Sequence, residues 1–249
     1  GSSVPRFEKA VADYCGVQFG IAVNNATSAL HIACLALGLG KDDYLWTTPN
    51  TFVASANSAL FCGSKVDFVD IDPRTYNMSL DCLRQKLQEA DKVGRLPKVV
   101  MPVHFAGQSC IMSSIHSLSQ QYGFKIIEDA SHALGAVYLK NIVGNCKYSD
   151  ITIFSFHPVK MITTGEGGIA TTNSVYLDKK LKLLRTHGIT KNKDEFEFSS
   201  DGEWFYEQQT LGFNYRMNDI EAALGISQLK RLKEFLERRN NIANNYFKK

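Results

Sequence analysis

The sequence lacks the features that mark several large classes of protein. No apolar run reaches the roughly 18 residues that a membrane-spanning helix needs. Lysine and arginine total 28 against 25 acidic residues, so the formal net charge is only +3, whereas domains that bind nucleic acid usually carry a clustered basic excess. The lysines at 179, 180 and 182 are typical of a solvated helix face. We therefore expect neither a nucleic acid nor a membrane among its partners.

The six cysteines form no Cys-x-x-Cys pair, which argues against a zinc knuckle or a thioredoxin-type motif. Several of them lie in apolar stretches such as HIACLALGLG and SALFCGSK, which is typical of buried, reduced thiols. No signal peptide is recognisable. Together these features predict a cytoplasmic protein.

The residues that are present are those of an ordinary folded domain. The chain has 249 residues, of which 44% are apolar and 21% are charged, and this is enough for a large core. Apolar, strand-like runs alternate with helix-like segments; the strand-like runs are FGIAV, KVDFVDID, KVVMPV, FKIIED and DITIFSF. Such alternation predicts an α/β fold with a mostly parallel sheet.

The C-terminal part has a different pattern. Residues 191–209 have no clear period and are interpreted as an excursion loop. Residues 218–249 are then predicted to form one long helix, which begins with a capping box of Asn218 and Glu221. The apolar spacing continues to the last residues, which predicts a partner outside this segment or a chain that continues.

Four polar clusters follow strands or begin helices, and open α/β sheets bind ligands at the carboxyl ends of their strands. The first cluster runs from Asn25 to Ser28, where free N–H groups and hydroxyls suit an anion. The same residues also fit a plain N-cap. Another cluster, Asn214 and Arg216 among aromatic residues, also fits a simple turn.

Asp129 closes the apolar strand FKIIED, where a buried carboxylate needs a partner. A cationic ligand, a metal ion or a structural hydrogen-bond network would supply one. Glu128, Asp129 and His132 are all of metal-ligand types. No further histidine or carboxylate lies at close spacing to these three, so we expect no metal site.

The remaining cluster contains Lys160. The strand DITIFSF ends at Ser155, Pro158 stops the ladder, and a glycine-rich turn follows Lys160. Most lysines are surface charges, but a lysine between apolar residues and such a turn is a candidate for a desolvated amine, which can form a Schiff base. The GEGG segment is not a Gly-x-Gly-x-x-Gly fingerprint, so a dinucleotide-binding redox enzyme is not favoured.

Together and in this order, these segments resemble the DegT/DnrJ/EryC1/StrS family of sugar aminotransferases. Asp129 in EDASHALG is followed 31 residues later by Lys160 in FSFHPVKMITTGEGG, and NNATSALH, TTPNTFVASAN, PVHFAGQ and GFNYRMNDIEAALGISQL also match. The resemblance covers essentially the whole chain. It is closest to the branch that makes the 4-amino sugar precursor of pseudaminic acid.

The resemblance implies the large domain of a fold-type-I enzyme that uses pyridoxal 5′-phosphate (PLP). Its sheet would be mostly parallel, seven-stranded and flanked by helices. Residues 1–225 would form this PLP-binding domain. Residues 226–249 would begin the long helix that leads to a small C-terminal domain, which this sequence lacks.

The resemblance also implies roles for eight residues. Lys160 would hold PLP as a Schiff base and Asp129 would face the pyridine nitrogen, and both would be catalytic. Phe52 would stack on the ring. The other implied cofactor contacts are Ala26, Thr27 and Ser155 at the phosphate, His132 near the ring hydroxyl, and Asn214 at the phosphate of the neighbouring subunit's cofactor.

The implied activity is transamination of a nucleotide-linked 4-keto-6-deoxy sugar, expected to be a UDP-linked N-acetyl hexosamine. L-Glutamate would be the amino donor, and the active unit would be a homodimer with shared sites. Two alternatives stay open: a PLP-dependent sugar dehydratase, and a non-catalytic regulatory or binding protein on the same fold. Dehydratase relatives carry a histidine in place of the Schiff-base lysine, so Lys160 argues against the first. The joint presence of Asp129, Lys160, Ser155 and Asn214 argues against the second.

Overall fold

The computed structural model describes residues 1–199 and 202–248. The helices within these ranges are α1 Ser3–Cys15, α2 Ala26–Ala36, α3 Ala54–Phe61, α4 Leu80–Lys92, α5 Met112–Tyr122, α6 Val175–Arg185, α7 Asp219–Leu229 and α8 Leu232–Phe247. The strands are β1 Phe19–Val23, β2 Tyr44–Thr47, β3 Lys65–Phe68, β4 Val99–Val100, β5 Lys125–Asp129, β6 Val137–Tyr138, β7 Asn141–Ile142, β8 Ile151–Ser155, β9 Gly168–Thr172, β10 Ile189–Thr190 and β11 Glu207–Gln208. Short 3-10 turns lie at Phe105–Gly107 and Lys193–Glu195.

Seven of the strands form one sheet in the order β1-β9-β8-β5-β4-β2-β3. Neighbouring strands are parallel except at β9, which runs antiparallel to both β1 and β8. The short strands pair outside this sheet, β6 with β7 and β10 with β11. The predicted α/β fold with a mostly parallel seven-stranded sheet is therefore confirmed.

The central strands are apolar on both faces because helices cover both faces of the sheet. On one face, Ile127 and Ile153 pack in a cluster with residues of α2, α3 and α6. On the other face, Ile126 packs with α4 and α5, and Phe154 packs with α1 and α7. This three-layer arrangement leaves the carboxyl edge of the parallel strands open for a ligand.

The start of α2 lies at this edge. The Oδ1 atom of Asn25 caps the helix by accepting the N–H of Ser28 at 2.8 Å. Gly168 permits the close approach, because a Cβ atom at this position would lie only 2.6 Å from the backbone nitrogen of Ala26. Gly168 pairs with Ser155 across β8 and β9. The end of β8 and the beginning of α2 are therefore held side by side.

The predicted long C-terminal helix is wrong in one respect, because the structure divides it into α7 and α8. The capping box of Asn218 and Glu221 is present. After α7, the N–H of Arg231 bonds to the carbonyl of Gln228, which is the tighter spacing of a 3-10 turn. This turn directs Leu232 into the core, where only 1% of it is exposed. Burial of this side chain in the cluster with α1 redirects the chain.

Two other predictions concern the same half of the chain. The segment 191–209, predicted as a loop, contains the second 3-10 turn and β11, and residues 200 and 201 lie outside the described part of the chain. The predicted division between residues 225 and 226 falls within α7 and stays a prediction. Among the described residues, no helix combines the length and the apolar character that crossing a bilayer requires.

Candidate active site

A cavity of about 990 Å³ lies at the carboxyl edge of the sheet, and this volume suits a small organic ligand. The ends of β5 and β8, the start of α2 and the segment that precedes α3 border it. Seven of the eight predicted site residues line this cavity: Ala26, Thr27, Phe52, Asp129, His132, Ser155 and Lys160. The sequence analysis assigns no role to several other lining residues, among them Asn50, Thr51, Phe61, Phe105, Ser131, His157, Glu166 and Tyr215.

Asp129 is the last residue of β5 and is buried. Two serine hydroxyls donate to its carboxylate: Ser55 to Oδ2 at 2.6 Å, and Ser131 to Oδ1 at 2.6 Å. These donors stabilise a negative charge that burial would otherwise make costly. Sequence reasoning missed both serines. Ser131 stands two residues after the aspartate, at the spacing of an Asx turn, whereas Ser55 is 74 residues away.

Glu128 points away from Asp129, because successive side chains of a strand alternate between the two faces of a sheet. Its carboxylate accepts hydrogen bonds from His104 Nε2 at 2.7 Å and from Ser149 Oγ at 2.5 Å. Burial raises the pKa of Glu128, but these hydrogen bonds more than offset it and lower the pKa below its usual value. The two carboxylates do not converge. Within residues 1–199 and 202–248, no three metal-ligating side chains cluster.

Lys160 lies in the turn that follows β8, where its backbone N–H bonds to the carbonyl of His157 at 2.9 Å. Burial lowers the pKa of its ammonium group, and the negative charge of Asp129 opposes this effect. The pKa of His132 is also lowered, first by burial and then by the charge of Lys160. These side chains are therefore close enough to interact electrostatically. A larger fraction of Lys160 is neutral amine than in an exposed lysine.

The start of α2 makes one end of the cavity suitable for an anion. The N–H groups in the first turn of a helix have no acceptor within that helix, and Ala26 and Thr27 provide such groups beside the cavity. The helix dipole adds positive potential at the same place. Ser155, buried at the end of β8, adds a hydroxyl.

Phe52 and Asn214 occupy different positions relative to the cavity. Phe52 lines it, and 76% of the residue is exposed, so its ring is available for stacking. Asn214 is exposed and does not line the cavity; its backbone forms a bridge with Thr186. Its neighbour Tyr215 does line the cavity, and its hydroxyl lies 3.1 Å from Nδ1 of His31. The predicted contact of Asn214 with a neighbouring subunit stays a prediction.

The model of the DegT/DnrJ/EryC1/StrS aminotransferase family matches residues 1–249. The chain belongs to this family. The resemblance found in its sequence segments is therefore confirmed.

Individual relatives in this family are similar over the whole chain. A UDP-4-amino-4,6-dideoxy-N-acetyl-beta-L-altrosamine transaminase from Campylobacter jejuni is 44% identical over 250 residues, and a GDP-perosamine synthase from Caulobacter vibrioides is 41% identical over 249 residues. Both alignments cover 100% of this chain and 62% of the relative. The chain thus spans less than two thirds of the length of these curated relatives.

Solved structures of relatives share the fold. One is Helicobacter pylori PseC, described as an aminotransferase involved in the biosynthesis of pseudoaminic acid. It superimposes with a TM-score of 0.87 at 32% sequence identity, over 99% of this chain and 62% of that one. This agreement identifies the sheet and its helices as the aminotransferase architecture.

Proposed function

We propose that this protein transfers an amino group from L-glutamate to a nucleotide-linked 4-keto-6-deoxy sugar, with PLP as its cofactor. One observation carries the proposal: a half-buried lysine, Lys160, and a buried carboxylate, Asp129, line one cavity beside the start of α2. The chain's membership of an aminotransferase family supports the reaction class.

The residues around the cavity fit PLP, the cofactor of aminotransferases in this family, of which solved PLP forms exist. The N–H groups of Ala26 and Thr27 and the hydroxyl of Ser155 would hold its phosphate. The carboxylate of Asp129 would face the ring nitrogen. The amine of Lys160 would bind covalently to the aldehyde carbon as a Schiff base. When bound, PLP supplies an electron sink for the negative charge that develops at the donor's Cα atom.

Lys160 has a second task in this proposal. Because burial lowers its pKa, its Nζ atom is more often neutral, and a neutral amine can accept a proton. We expect Nζ to remove the proton from the Cα atom of the donor and to return a proton later in the reaction. His132, whose pKa is also lowered by burial and by Lys160, would stay neutral beside it and form hydrogen bonds without adding positive charge.

Asp129 would keep a proton on the ring nitrogen. The hydroxyls of Ser55 and Ser131 donate hydrogen bonds to its carboxylate, and the negative charge of a carboxylate attracts the positive charge of a protonated ring. Phe52 would cover one face of the ring and thereby hold its plane. Asp129 and Phe52 would therefore hold and orient the ring of the cofactor, whereas Lys160 would transfer the proton.

The proposed acceptor is a UDP-linked N-acetyl hexosamine with a keto group at C4. Its support is the 44% identity with the Campylobacter jejuni transaminase and the structural likeness to Helicobacter pylori PseC. A GDP-linked sugar is the competing acceptor, since a GDP-perosamine synthase is 41% identical.

We also propose that the protein lies in the cytoplasm and forms a homodimer with shared active sites. The position of Asn214 supports the shared sites, because this residue is exposed and lies outside the cavity of its own chain. From there it would reach the phosphate in the site of a neighbouring subunit.

The proposal is tested by following the nitrogen atom. Protein loaded with PLP is incubated with ¹⁵N-labelled L-glutamate and, separately, with UDP-, GDP- and dTDP-linked 4-keto-6-deoxy sugars. Mass spectrometry should detect ¹⁵N in a 4-amino product of the UDP sugar. The Lys160→Ala variant should form none, whereas Lys92→Ala, a change at an exposed lysine outside the cavity, should behave as wild type. A deoxygenated product without nitrogen would indicate a dehydratase, and no product from any sugar would reject the aminotransferase.

A further inference from the structure

The two carboxylate oxygens of Asp129 have different surroundings. Oδ1 accepts two hydrogen bonds from Ser131, one from its hydroxyl at 2.6 Å and one from its backbone N–H at 3.2 Å. Among the described residues, Oδ2 accepts one, from the hydroxyl of Ser55 at 2.6 Å. A carboxylate oxygen accepts about two hydrogen bonds. Oδ1 therefore already accepts its full number of hydrogen bonds, whereas Oδ2 can accept one more.

The hydroxyl of Ser55 is itself held in place. Ser55 lies fully buried in α3, and its Oγ atom is 2.7 Å from Oγ1 of Thr51. A serine hydroxyl has one proton, and that of Ser55 goes to Asp129. Thr51 must therefore donate to Ser55. This relay, from Thr51 through Ser55 to Asp129, fixes the plane of the carboxylate from one side, and Ser131 fixes it from the other.

We propose that Ser55 and Ser131 are positioning residues that aim Oδ2 of Asp129 at the ring nitrogen of the cofactor and keep the proton on that nitrogen. The inference rests on the proposed function. A buried carboxylate is costly unless donors stabilise its charge. When a hydroxyl donor is removed, the proton moves from the ring nitrogen toward the carboxylate. The ring then becomes a weaker electron sink.

The test compares Ser55→Ala and Ser131→Ala with a matched control, Ser58→Ala. Ser58 is also fully buried in α3, but its hydroxyl donates to the carbonyl of Ser55 at 2.8 Å and does not contact Asp129. Each protein is loaded with PLP carrying ¹⁵N in the ring, and the nitrogen chemical shift is measured by NMR. The rate of the glutamate half-reaction is measured as the decay of the visible absorbance band.

We expect both alanine variants to bind PLP, to show a ¹⁵N shift toward the unprotonated ring, and to react about tenfold or more slowly. Ser58→Ala should match wild type in both measurements. Ser131→Thr, which keeps a hydroxyl, should restore the wild-type shift. Ser131 is partly exposed and lies in a turn, so its variants provide the test even if Ser55→Ala does not fold.

A wild-type ¹⁵N shift and rate in the alanine variants would overturn the positioning role and leave the proposed function standing. An equal loss in Ser131→Thr and Ser131→Ala would also overturn it, because the hydroxyl would then not be the cause. Wild-type protein that forms no borohydride-reducible adduct with PLP would overturn the proposed function itself.

Discussion

Replacing Asp129 with asparagine exchanges one oxygen for an NH₂ group, and the structure determines where that group lies. The backbone N–H of Ser131 can only donate, so the amide oxygen must take the place of Oδ1. The NH₂ group then takes the place of Oδ2, beside the hydroxyl of Ser55. Ser55 can accept from it by turning its own proton toward Thr51.

The apo protein should therefore tolerate Asp129→Asn. The free energy of unfolding should change by about 1 kcal/mol, the scale of one neutral hydrogen bond. The substitution should have a larger effect on the PLP-loaded protein. An N–H group of the new asparagine would then face the ring nitrogen and prevent a proton from binding there. Loss of one preorganised electrostatic contact costs about 2.7–4 kcal/mol in a transition state. The rate of the glutamate half-reaction should fall by roughly 10²–10³-fold.

Stopped-flow absorbance of the PLP-loaded protein measures this rate, and a fluorescence titration measures PLP affinity. Asp91→Asn is the matched control, because Asp91 is exposed and lies away from the cavity. An Asp129→Asn variant that binds PLP and reacts within about fivefold of wild type, well below the loss expected for such a contact, would show that Asp129 does not act on the ring nitrogen.

Burial lowers the pKa of Lys160. The rate of PLP attachment to the apo protein should therefore rise with pH and level off below pH 10.5, the ordinary pKa of lysine. A rate that levels off only at or above pH 10.5 would contradict the lowered pKa. Gly168→Ala should lower the free energy of unfolding by about 1–3 kcal/mol and weaken PLP binding, because the new Cβ atom would collide with Ala26. Gly40→Ala should change neither quantity, because no atom lies within 4 Å of a Cβ at that position. Mixing inactive Lys160→Ala and Asn214→Ala subunits should restore activity if sites are shared, and no recovery despite subunit exchange counts against sharing.

The sequence predicts the parts of the fold that depend on local pattern. Apolar runs such as residues 151–155 form strands because helices cover both faces of the sheet. The capping box of Asn218 and Glu221 is a short-range signal. The break before Leu232 has no such signal, since the helical spacing continues through it. The helix breaks there because Leu232 is buried in a cluster with residues of α1, which is distant in the chain.

The same distinction applies to the site. Asp129 and Lys160 are recognisable because one ends a strand, the other lies in the turn after a strand, and both match family segments. The ends of parallel strands meet at one edge of the sheet. Ser55 gives no signal in the sequence, because its contact with Asp129 depends on how α3 docks beside β5. The surroundings that set the charge of a site residue therefore require the tertiary structure, even where the residue itself does not.

Borohydride reduction of the PLP-treated protein, followed by peptide mass spectrometry, tests most directly whether this cavity holds PLP on Lys160. We expect the visible band to disappear and a phosphopyridoxyl group to be found on the peptide containing Lys160. The Lys160→Ala variant should carry none. An adduct on a different lysine, or no adduct at all, would contradict the attachment of PLP to Lys160.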